Sequence, residues 1–92
     1  MTNYNDSEAT AWASAVYSAL RAESNDLAAA PMAAYMKHNF SFLGIPKPLR
    51  AEIQRTHWAE RPKKSAAIDT LHQLWALPFR EAQYVALDLL KS

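Results

Sequence analysis

The chain has 92 residues, a formal net charge of +1 and no cysteine. That bounds it to one small domain or part of a larger one and excludes a disulfide framework or a thiolate metal site. The polar, acidic start "MTNYNDSEAT" does not read as a signal peptide, and no apolar run approaches a membrane span, so a soluble, cytoplasmic protein is expected. In chain order, Ala9, Trp12, Ala13, Val16, Tyr17 and Leu20 recur at helical spacing and predict a first helix, with Asp6 or Ser7 placed to cap it. "AESNDL" breaks the pattern, and Asn25 and Asp26 suit a turn or a cap. Pro31 fits the first turn of a second helix that runs on through Met32, Tyr35 and Met36 toward Phe40. Gly44, Pro46 and Pro48 interrupt it, and Pro48 suits the start of a third helix with Leu49, Ile53 and His57 on one face. Pro62 and the neighbouring lysines form a connector, and Lys64 or Ser65 precedes a fourth helix carrying Ile68, Leu71, Leu74 and Trp75. Pro78 ends that helix and opens a fifth with Ala82, Val85, Ala86, Leu89 and Leu90.

No segment alternates as a strand does, and a single glycine amid abundant alanine also favours helices. The expected fold is all-α: about five short antiparallel helices in layers, as in a solenoid of helical pairs. The fifth helix carries an apolar stripe, with Val85, Ala86, Leu89 and Leu90, that needs a further layer. Either it packs back on the first four, or more helical pairs follow, or the chain self-associates through it.

Charge is unevenly spread. Residues 1–36 carry a net −3 and residues 65–92 a net −1, whereas residues 37–64 hold seven cations against two anions. Lys37, Lys47, Arg50, Arg55, Arg61, Lys63 and Lys64 make a basic middle third that attracts polyanions, unless it is only a solvated surface. "YMKHNFSFLGIPKPLR" puts three aromatics in the same stretch. Phe40, Phe42 and Leu43 read as packing anchors for a sharp link, with Lys47 and Arg50 in the first turn of the helix that follows. His38, His57 and His72 are too scattered for a metal set, and there is no phosphate loop or nucleophile elbow.

Two blocks, "PMAAYMKHNFSFLGIPKPLR" and "LHQLWALPFREAQYVALDLL", occur in the order and at a separation that resembles the start of the HEAT-like DNA alkylation repair glycosylases, the alkylpurine glycosylases of the AlkD type. The resemblance covers roughly residues 30–92. It implies a HEAT-like α-helical solenoid whose basic concave face grips double-stranded alkylated DNA. It further implies excision of cationic purines such as N3-methyladenine and N7-methylguanine, in base excision repair, with no metal or organic cofactor. Tyr35 matches the family's lesion-site tyrosine in "YMK"; the alternative is a buried helix tyrosine whose hydroxyl finds a backbone partner. The resemblance places Lys47 and Arg50 near the DNA backbone, while Arg55, Arg61, Lys63 and Lys64 are DNA-binding candidates on charge alone. Trp75 reads as core, and Arg80 with Glu81 as an ion network at a helix start.

The family's catalytic aspartate follows a tryptophan pair, one helix beyond a segment like "ALDLL", and no such Trp-Trp-x-Asp segment occurs here. No catalytic residue is therefore expected in these 92 residues. The expectation is the N-terminal part of a longer glycosylase, inactive alone. The competing reading is a catalytically silent helical module that binds DNA or a protein.

Overall fold

The computed structural model describes residues 4–91, and the side chains of residues 10–63 and 67–91. It is all-helical: α1 Tyr4–Ala22, α2 Asp26–Tyr35, α3 Lys47–Trp58, α4 Lys64–Trp75 and α5 Arg80–Lys91. α1 begins ahead of Asp6 and Ser7, so both expected caps lie inside its first turns.

α1 is the central rod. Trp12, Ala13, Val16 and Leu20 form one stripe and are all buried. That stripe packs chiefly against α4 and also against α3, while α4 lies against α5. The core closes with Ile53 from α3, Leu74 from α4 and Val85, Ala86 and Leu89 from α5, joined by Leu43 and Ile45 from the α2–α3 link. Fully burying a side chain such as Leu20 or Leu74 stabilises by about 1.5–3 kcal/mol, so this cluster carries most of the fold. The α1–α3 contact is pinned by a polar atom as well. Trp12 Nε1 donates to the His57 carbonyl at 2.8 Å, and the Trp12 and Trp58 rings meet edge to face with centroids 6.3 Å apart.

α2 stands apart, because it contributes no buried residue. Its start is set by Asn25, whose Oδ1 accepts from the backbone N–H of Leu27 and Ala28 at 3.1 and 3.2 Å. Pro31 is therefore not in the first turn, as expected, but inside the helix. It has no N–H to give the Leu27 carbonyl. On this peripheral helix that carbonyl can turn to water, since Leu27 itself is largely exposed. Nor does α2 reach Phe40. Lys37 and His38 adopt left-handed backbone, with φ of 56° and 59°, and their N–H groups close onto Ala34 and Ala33 carbonyls at 2.9 and 2.8 Å. Two adjacent non-glycine residues in this region cost roughly 1 kcal/mol each, so the chain turns here at some expense.

α3 begins one residue before Pro48, with Pro46 as its N-cap. Pro78 falls in the short connector between α4 and α5. Two expectations about the core change. Trp75 is 49% exposed and Ile68 is also exposed, so neither is core. On α5, Val85, Ala86 and Leu89 are buried against the other helices and only Leu90, with Leu87, is left outside. A stripe of Ile68, Trp75, Leu87 and Leu90 remains along α4 and α5, where an open groove of about 380 Å³ runs between Leu71, Trp75, Leu87 and Leu90.

Candidate functional site

The link of residues 39–46 is the hinge on which the site is built. Glu81 lies in the first turn of α5 and is 1% exposed. Its carboxylate does not pair with Arg80, as the sequence suggests. Instead Oε1 accepts from Leu43 N at 2.9 Å, and Oε2 accepts from Gly44 N and Ile45 N at 3.0 and 3.1 Å. Three consecutive backbone donors thus converge on one buried carboxylate, which compensates its burial. The same link is tied to both neighbours. Asn25 N donates to Leu43 O at 2.7 Å, and Arg80 N donates to Ser41 O at 2.8 Å beside a lone bridge between Ser41 and Phe79. Gly44, at φ +91°, lets this corner touch the start of α2: an added Cβ would lie 2.0 Å from the Asn25 carbonyl oxygen.

A second polar cluster braces α3 against α5. Arg50 is only 8% exposed. Its Nη1 donates to Gln54 Oε1 at 2.6 Å and to Asp88 Oδ2 at 3.1 Å, and Gln54 Nε2 donates to the same Asp88 oxygen at 3.0 Å. The guanidinium also stands over the Tyr84 ring, 5.1 Å from its centroid. The Asp88 carboxyl is held below its ordinary range: burial pushes it up, but the Gln54 and Arg50 hydrogen bonds and the charges of Arg50 and Lys91 outweigh that. A lowered folded value means that the stabilisation is fully present above the unfolded value of about 3.9 and is lost as pH falls through the folded one. The Asp88 side chain is 43% exposed, so solvent screens the pair and its contribution is on the order of 1 kcal/mol or less. Urea midpoints followed from neutral pH down to about pH 3 should therefore fall less steeply for Asp88→Asn than for the parent. Parallel acid profiles for the two proteins would mean that Asp88 does not carry this linkage.

Between α2, the link and α5 lies an open, mostly apolar groove of about 510 Å³, lined by Met32, Tyr35, Met36, Phe42 and Tyr84, with Ala28 and Pro31 at its end. Tyr35 is 86% exposed. It is therefore not the buried helix tyrosine that the alternative reading requires. Tyr84 joins this groove to the first turn of α3, since its ring faces Arg50, and it also faces Arg80 at 5.1 Å. Leu43 enters the core as expected of an anchor, whereas Phe42 is half-buried in the groove wall and Phe40 half-buried against Arg80.

The structure separates the expected DNA-binding residues. Lys47 is exposed at the first position of α3. Arg50, in the same turn, is turned inward, which leaves Lys47 as that turn's exposed charge. Arg55 is exposed farther along α3, beside Gln54, Trp58 and Asp88. Lys63 is exposed and lies with Arg61 on a different surface, at the rim of a groove that includes Ile68 and Leu90. The Lys64 side chain lies outside the described residues. Among the described residues, no three His, Asp or Glu side chains gather as metal ligands, and no helix is long and apolar enough to cross a membrane.

Sequence reasoning missed Tyr84 and the real task of Glu81. A signal for Glu81 was available, since it falls on the buried stripe with Val85 and Leu89, at successive intervals of four. A carboxylate on an apolar stripe must find donors. Arg50 and Gln54 carry the same signal beside Ile53 on α3. For Tyr84 the local spacing offers only Arg80, one turn back; its other partners come from α2, α3 and the link.

Comparison with known families gives one match: a model described as DNA alkylation repair enzyme covers residues 16–92, from within α1 to the end of the chain. Curated proteins give no match.

Proposed function

The chain belongs to the DNA alkylation repair enzyme family, and from that membership we propose that it grips duplex DNA and supplies part of a site where cationic alkylated purines such as N3-methyladenine and N7-methylguanine are excised. A role in alkylation repair follows from the family itself. Glycosidic hydrolysis within base excision repair, action in the cytoplasm, and a HEAT-like solenoid begun by these five helices belong to the proposal.

The observation that carries this reading is the exposure of Tyr35 on an open groove whose other walls are Phe42 and Tyr84. Exposed apolar and aromatic side chains gathered in one groove mark a binding surface. The ring quadrupole favours a cationic purine, by about 0.5–2 kcal/mol once water is displaced. Lys47 at the α3 N-terminus adds a positive charge for a backbone phosphate. Excision itself needs a free carboxylate opposite the positive charge that grows on the sugar. Two carboxylates on α5, the helix that carries Tyr84, are already engaged: Glu81 by three backbone N–H groups, and Asp88 by Arg50 and Gln54. The 92-residue chain is therefore proposed to bind without excising.

Both halves can be measured on one preparation. Duplex affinity over a salt series should show a steep slope that Lys47→Ala flattens by about one unit. Methylated duplex incubated with the chain should release no free base. Binding that is absent or insensitive to salt would remove the DNA reading, and released base would place the catalytic group within these residues.

Self-association is a further part of the proposal. The stripe of Ile68, Trp75, Leu87 and Leu90 supports it, because an exposed apolar surface of this kind tends to find a partner. Light scattering should show a mass above that of the monomer at high concentration, and a clean monomer would remove this element.

A further inference from the structure

Among the described residues, Arg80 has no counterion. It is half-buried, and its Nη1 donates to Gln83 Oε1, a neutral acceptor, at 2.8 Å. Its Nε is buried and finds no acceptor. Its guanidinium carbon lies 4.0 Å from the Phe40 ring centroid, 5.1 Å from that of Tyr84 and 5.9 Å from that of Trp75. The adjacent Glu81 does not neutralise it, because both Glu81 oxygens are spent on the link's backbone. Arg50 provides the contrast. It stands over the same Tyr84 ring at the same 5.1 Å, yet it has Asp88 beside it. Arg50 with Asp88 is the one ion pair among the described residues.

Arg80 is also the first residue of α5, at the positive end of that helix, where a cation is disfavoured. Partly burying an uncompensated charge is expensive, and aromatic walls offset only part of that cost. Those walls surround the guanidinium but offer its N–H groups no lone pair. What is missing is an anionic acceptor. The planar fork of an arginine suits a phosphate oxygen better than a point charge does. Because Tyr84 faces Arg80 and also lines the groove with Tyr35, the half-buried guanidinium lies beside that groove.

We propose that Arg80 is an anion-binding residue that takes a phosphodiester oxygen of duplex DNA, an inference that rests on the duplex-binding reading above. The test uses the full 92-residue chain. Unmodified duplex is titrated into the 15N-labelled protein while the Arg80 Nε–H signal is followed, with inorganic phosphate at equal phosphate concentration as a second arm. Duplex affinities of the parent, Arg80→Gln, Arg80→Lys and Lys47→Ala are then measured over a salt series. The duplex should shift the Arg80 Nε–H signal, and inorganic phosphate should shift it much less. Arg80→Gln should lower the salt slope by about 0.9, so that between about 50 and 200 mM salt the parent loses about 3.5-fold more affinity than the variant. Arg80→Lys should restore the slope, which a purely structural role would not do. An unmoved Nε–H signal together with an unchanged slope in Arg80→Gln, while Lys47→Ala still flattens it, overturns this inference and leaves the duplex-binding reading standing. An equal shift with inorganic phosphate overturns the assignment to DNA. No duplex binding by the parent at about 50 mM salt removes both. If Arg80→Gln fails to fold, the titration of the parent signal still decides.

Discussion

Replacing Glu81 by alanine is expected to remove a large share of the folding stability of the chain. Among the described residues, the carboxylate alone accepts from three buried backbone N–H groups, those of Leu43, Gly44 and Ile45. An orphaned buried donor costs about 1–3 kcal/mol, so the loss should reach about 3–5 kcal/mol even after some water enters. A domain of this size has on the order of 5–14 kcal/mol to lose. Glutamine is not a mild substitute. Its one carbonyl oxygen can serve either Leu43 or the Gly44 and Ile45 pair, and its NH₂ then faces N–H donors at the other end. Glu81→Gln should therefore cost at least about 2 kcal/mol. Urea unfolding followed by tryptophan fluorescence reads both variants. A Glu81→Gln protein as stable as the parent would show that the three donors do not depend on the carboxylate.

Gly44→Ala should be comparably severe and should act on the opposite side of the same corner. The new methyl would meet the Asn25 carbonyl oxygen at 2.0 Å and the Ala29 backbone nitrogen at 2.8 Å, both parts of the main chain and unable to rotate away. The left-handed φ of +91° adds strain of its own. We expect a loss of about 3 kcal/mol or more, with α2 displaced from the link rather than the core dissolved, because α2 holds no buried residue. Circular dichroism should then fall by about one short helix while the tryptophan signal of the core persists. An unperturbed spectrum and melting point would contradict the close approach at Gly44.

Much of this architecture was legible from periodicity alone. The apolar positions of α1, α4 and α5 recur at helical spacing, and Pro46 and Pro48 mark the start of α3. Where expectation and structure part, the reason is local competition or the absence of a three-dimensional partner. Pro31 and Asn25 both suit a helix start; Asn25 wins because its side chain satisfies two N–H groups, whereas Pro31 merely lacks one. Trp75 and Ile68 share the apolar spacing of Leu74, and spacing marks a face without saying how much of it another helix covers. The family resemblance places Arg50 near DNA at a helix start, yet its position beside Ile53 and its i+4 partner Gln54 turn it inward to Asp88. The candidate groove was legible only at Tyr35. Tyr84 is brought to it from 49 residues further along the chain, and Phe42, read as a packing anchor, stands in its wall instead.

The Glu81 clamp also fixes an order of events during synthesis. The acceptor lies 36 to 38 residues downstream of the donors that it holds. As the chain leaves a ribosome, N-terminus first, α2 and the link emerge with no partner for their corner, and α1 emerges with its apolar stripe uncovered until α3 and α4 follow. A nascent chain stalled before Glu81 therefore lacks the acceptor that holds its bend. The groove beside Tyr35 is complete only once the first turns of α5 have emerged with Glu81 and Tyr84.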